Sequence, residues 1–87
     1  MDTKHHDVML SVPQTLHQCH MLNSAYSKRL KRLGSLHPSE HTSHLIREHE
    51  AALEKIREVQ ASTEKLPADA TVNWSEVERA LDQLLDD

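Results

Sequence analysis

The chain has 87 residues, with no Phe, one Trp and one Tyr, so it is long enough for one domain with an aliphatic core. So small a core makes a homo-oligomer or a complex with a larger protein the expected route to stability. The formal charge of −4 is uneven: residues 1–63 hold eight Lys/Arg against seven Asp/Glu, and residues 64–87 hold two against seven. That balance argues against a nucleic-acid partner, which selects a net basic face. A single cysteine excludes an intrachain disulfide framework. No stretch has the length and apolarity of a membrane span, and "MDTKHHDVML" lacks the apolar centre of a signal peptide. The expectation is a cytoplasmic protein, or one of another reducing intracellular compartment, without membrane contact.

Residues 1–10 read as a polar lead with a small apolar knot at Val8, Met9 and Leu10. A first helix is expected over 11–34, starting near Ser11, with Pro13 in the first turn, where its missing N–H goes unneeded. Its apolar stripe runs Val12, Leu16, Cys19, Asn23, Tyr26, Leu30, Leu33, alternating steps of four and three. The period of 3.5 keeps one seam against a neighbouring helix. Cys19 falls on that seam and reads as a small core hydrophobe. Lys28, Arg29, Lys31 and Arg32 cluster in the last turns, where cations complement the helix dipole. Gly34, the only glycine, is expected to close the helix in the left-handed conformation.

The second helix is expected over 37–66, opening at His37–Pro38 and ending before Pro67. Its stripe is Leu45, His49, Ala52, Ile56, Val59, Thr63, Leu66. Asn23 and His49 are polar breaks in the two seams, of the kind that set register and partner choice. "PADATV" reads as a connector. A third helix over 73–86 opens with Asn73 as N-cap and Glu76 placed for a capping box. Trp74, Val77, Leu81 and Leu84 make its apolar side, which either closes a three-helix bundle or lies in a groove of another protein. No period-two pattern is present, so no strand is expected. The fold class is all-α: an antiparallel, coiled-coil-like helical hairpin with a short third helix.

Eight histidines raise the question of metal. His17, Cys19 and His20 are close in sequence, but Cys19 points about 100–200° away from the other two on a helix. His37, His41, His44 and Glu48, stepping by four, three and four, would share one helix stripe and could hold one side of a zinc or nickel ion. The plainer reading of that stripe is a solvated polar face. Protonating all eight histidines would take the chain from −4 to +4, which suits a pH sensor as well. Catalysis has no support. There is no nucleophile elbow and no glycine-rich phosphate cradle, and Leu53 stands where the HExxH zinc pattern needs its second histidine.

The function expected from these residues is therefore a non-catalytic interaction module, an adaptor, assembly factor, small chaperone or inhibitor. It would bind a larger protein through helix–helix packing, with Leu30, Ile56, Trp74, Val77, Leu81 and Leu84 as contacts. The alternative is a histidine-rich metal-binding or metal- or pH-sensing helical protein.

Overall fold

The computed structural model describes residues 7–85. Two long helices form the expected hairpin, α1 over Val12–Gly34 and α2 over Glu40–Glu64. A shorter α3 covers Trp74–Leu84. Two three-residue strands, β1 (Met9–Ser11) and β2 (Thr71–Asn73), pair antiparallel with Met9 opposite Asn73 and Ser11 opposite Thr71. The strands correct the expectation of none. Three residues are too few to display a period of two, and the pairing joins segments about sixty positions apart, beyond the reach of any local pattern.

The helix ends follow from caps. Ser11 opens α1 with a full capping box: its Oγ accepts from Gln14 N–H at 3.2 Å, and Gln14 Oε1 accepts from Ser11 N–H at 3.0 Å. The second helix starts at Glu40 rather than at His37–Pro38. Ser39 Oγ takes the Thr42 N–H at 3.0 Å, which fixes the first turn there and leaves Pro38 ahead of the cap. Asn73 caps α3 by accepting from Glu76 N–H at 3.3 Å.

Gly34 does not do what its type suggests. It ends α1 without a positive φ, and the helix closes on Ser35, an ordinary right-handed residue at φ −93°. The last carbonyls are met by tightened bonds, Ser35 N–H to Arg32 O and Leu36 N–H to Leu33 O, both 3.2 Å. Two residues proposed for the seam ends, Leu66 and Leu33, are exposed and half-buried respectively, and Leu66 lies beyond the end of α2.

One core joins all three helices: Cys19 and Tyr26 from α1, Ala52, Leu53 and Ile56 from α2, and Trp74, Val77 and Leu81 from α3. The molecule is nonetheless shallow. Its extents are 46 × 35 × 15 Å and its radius of gyration is 15.0 Å, against about 12 Å for a compact domain of this length. A depth of 15 Å holds no more than two helix layers at the usual axis spacing of about 8–10 Å. Among the described residues no helix is long and apolar enough to cross a membrane.

Candidate interaction surface

The third helix is docked at home. Trp74, Val77 and Leu81 are buried in the common core, so α3 closes the hairpin instead of standing free. Of the contacts expected to meet a partner, Ile56 is also buried and Leu30 is half-buried against the core. Leu84 alone of the six stays open, at 36% exposure. These side chains are thus mostly packed within the chain, with Leu30 and Leu84 keeping partial exposure.

A second set of bonds holds α3 from its start. Trp74 N–H donates to Val8 O at 2.8 Å, and Val8 N–H donates to Ser75 Oγ at 2.7 Å. Asn73 Nδ2 donates to Asp7 Oδ2 at 3.0 Å, and Arg79 lies 3.6 Å from the other oxygen of the same carboxylate. The segment before α1 therefore works as a clasp on α3. Sequence reasoning placed residues 7–10 in a polar lead and missed it, since only the β1–β2 register brings Asp7 to Asn73 and Arg79.

Most buried polar groups in the hairpin are satisfied locally. Thr15 Oγ1 donates to Ser11 O at 2.8 Å and Thr63 Oγ1 to Val59 O at 2.6 Å, each reaching back one turn. His49 Nδ1 lies 2.8 Å from Leu45 O, and because a carbonyl only accepts, Nδ1 carries the proton. The His49 ring meets Tyr26 edge-on at 5.6 Å, and Arg29 covers the Tyr26 ring at 5.3 Å. Cys19 is fully buried, and burial pushes its thiol pKa upward. It is core, as its place on the seam implied.

The exception is Asn23. Its Oδ1 is buried and accepts no hydrogen bond among the described residues. An unmet buried acceptor costs about 1–3 kcal/mol, so a chain that keeps one on a helix seam bears a real penalty.

Asn23 also marks a face. On α1, Gln18 and Leu22 line an open groove of about 320 Å³ beneath Trp74 and Leu81 of α3. On α2, Lys55, Val59 and Ser62 line a second groove of about 430 Å³ against Val77 of the same helix. At about 100° per residue, Leu16, Asn23 and Leu30 fall on the opposite flank of α1's buried stripe from Gln18 and Leu22. By the same reckoning Ile46, Leu53 and Gln60 fall on the flank of α2 opposite Lys55 and Val59. Both triplets step by seven, and all but the buried Leu53 are half-buried. With α3 on one side and a depth of two layers, this stripe has no third layer above it among the described residues.

The histidine stripe is only partly assembled. His37 precedes α2, so the stripe on that helix reduces to His41, His44 and Glu48. His44 Nε2 and Glu48 Oε2 are 3.2 Å apart. Glu48 is buried, which corrects the picture of a fully solvated face: the flank of α2 beside Ala52 draws it inward. The described residues contain no group of three or more His, Cys, Asp or Glu that could hold a metal ion.

Compared with known proteins, the chain matches no family model, no curated protein and no solved structure.

Proposed function

We propose that this chain is a non-catalytic interaction module, an adaptor, assembly factor, small chaperone or inhibitor, that binds protein by helix–helix packing. The binding surface in this reading is the side of the α1–α2 hairpin turned away from α3, rather than α3 itself. The observation that carries it is the pair of heptad-spaced triplets, Leu16–Asn23–Leu30 and Ile46–Leu53–Gln60, with an unmet acceptor at the centre of the first. Such a stripe has the spacing of a knobs-into-holes seam, with Leu53 packed within the chain, Leu30 partly so, and Leu16, Asn23, Ile46 and Gln60 left to meet another helix. The two grooves beside α3 are open to solvent along their length, which is poor ground for enclosing a substrate.

The test is site-specific photo-crosslinking in the native host. A photoreactive residue replacing Leu16 or Ile46 should give protein adducts, while one replacing the exposed Glu54 or Glu78 should give few or none. Adducts of equal yield from all four positions, or from none, would overturn the reading. The zinc or nickel alternative finds no comparable support, because only His44 and Glu48 of its four ligands are brought together.

A further inference from the structure

We infer that the partner on the bare hairpin face is a second copy of this chain, packed antiparallel about a two-fold axis through Asn23. This rests on the interaction-surface reading and names the occupant. Three observations point the same way. The first is position: α1 spans Val12–Gly34, which makes Asn23 its midpoint. Leu16 and Leu30 lie seven residues to either side, so the stripe reads the same in both directions, apolar, amide, apolar. A two-fold contact brings residue i onto j wherever j meets i, so like side chains at positions 16 and 30 let apolar meet apolar along α1, although the α2 triplet Ile46–Leu53–Gln60 lacks that symmetry.

The second is chemistry. In such a pair Leu16 of each copy meets Leu30 of the other, and the two Asn23 amides face one another at the axis. An amide carries both a donor and an acceptor. Turned about its last side-chain torsion, each Asn23 can give its Nδ2–H to the other's Oδ1, and the acceptor left unmet in one chain is met in two. The third is charge. Lys28, Arg29, Lys31 and Arg32 outweigh Glu40 at the hairpin-turn end, whereas Glu64 and Asp69 outweigh Lys65 at the opposite end of the molecule. A parallel pair would set the two basic clusters side by side. The antiparallel pair sets each basic end against an acidic one, which favours this register over the other.

The experiment uses the purified full chain and covalent trapping. Light scattering should give twice the single-chain mass of 10.0 kDa at tens of micromolar. Leu16 and Leu30 are 14 residues apart on one helix, about 21 Å at 1.5 Å per residue. With diamide as oxidant, Leu16→Cys alone and Leu30→Cys alone should therefore form no covalent dimer, while an equimolar mixture of the two should. Asn23→Cys alone should link, and the unsubstituted chain, whose Cys19 is buried, should not. Circular dichroism confirms that each variant keeps its helices. A mass of 10.0 kDa at hundreds of micromolar for the unsubstituted chain overturns the inference. So does linkage of each single variant with itself, which would mean a parallel pair. Photo-adducts at Leu16 and Ile46 with a different protein, beside a monomeric purified chain, would leave the interaction module standing and remove self-association alone.

Discussion

One side of the hairpin is covered by α3, which brings Trp74, Val77 and Leu81 down onto α1 and α2 and is clasped by β1. The other side carries Leu16, Asn23, Leu30, Ile46 and Gln60, half-buried and without a covering helix among the described residues. Both sides belong to the same two helices and flank the same buried stripe, so the difference lies in what the chain supplies to each. The covered side shows that a two-helix layer needs a third element to bury its core fully. The bare side has the same need and no such element. Its one unmet acceptor sits where a covering helix would be expected to supply a donor.

The largest effect should come from breaking the covered side. Trp74→Ala removes the bulkiest side chain that α3 contributes to the core, and it should cost about 3–5 kcal/mol, read from chemical denaturation. The single Trp also reports on the comparison directly: its emission in the isolated protein should be blue-shifted, and solvent-like emission would mean that α3 is not docked. On the bare side the sign reverses. In solution dilute enough to keep the chain monomeric, Asn23→Leu removes the orphaned acceptor and should raise stability by about 1–3 kcal/mol, measured in the same way. A loss of stability there would show that the amide is already bonded within its own chain.

Smaller effects sharpen the picture at the ends of the helices. Gly34→Ala should stabilise by about 0.4–1 kcal/mol, because its φ is not positive and nothing lies within 4 Å of the added Cβ. Destabilisation there would restore the left-handed closure that the residue type suggests. Asp7→Ala opens an exposed clasp, a contact of the class contributing under about 1 kcal/mol. Its signature should be regional: faster hydrogen exchange in α3 amides, with α1 and α2 unchanged. Equal acceleration in all three helices would mean that the clasp and the hairpin form one unit. The buried Cys19 thiol gives a pH dependence. Its pKa is raised in the folded chain, so its contribution is complete below the unfolded value of 9.0 and declines as pH climbs from there through the folded value. Melting curves from pH 8 to 10.5 should therefore show a fall that Cys19→Ala lacks.

The hairpin was legible because its information is local. Steps of four and three need only a few turns to establish a seam, and Ser11 and Asn73 carry their caps within three residues, whereas the Ser39 cap is masked by the stronger helix-start signal of Pro38. Even so, the stripes were drawn too narrowly. Thr15 and Leu53 are buried though neither lies on them, and Glu48 was assigned to a solvated face that it has left. A seam drawn as a line omits the flanks, and the flanks carry the surface argued for here. The β1–β2 clasp was not legible at all. Asp7, Asn73 and Arg79 are unremarkable residues in a linear reading and acquire a role only through a register set by distant pairing. Periodicity also could not decide whether α3 docks on its own chain, since the same apolar side serves either outcome.

The separation between the paired strands bears on how the chain is made. Leu10 and Val72 are opposite each other in the sheet, so β1 stays unpaired until all of α2 and the segment after it have been made. The α1–α2 hairpin, by contrast, closes over a few residues and needs no such distant pairing. A chain truncated before residue 71 would hold α1 and α2 but neither β2 nor α3, leaving uncovered the face that Trp74 otherwise fills and making the product a natural substrate for quality control.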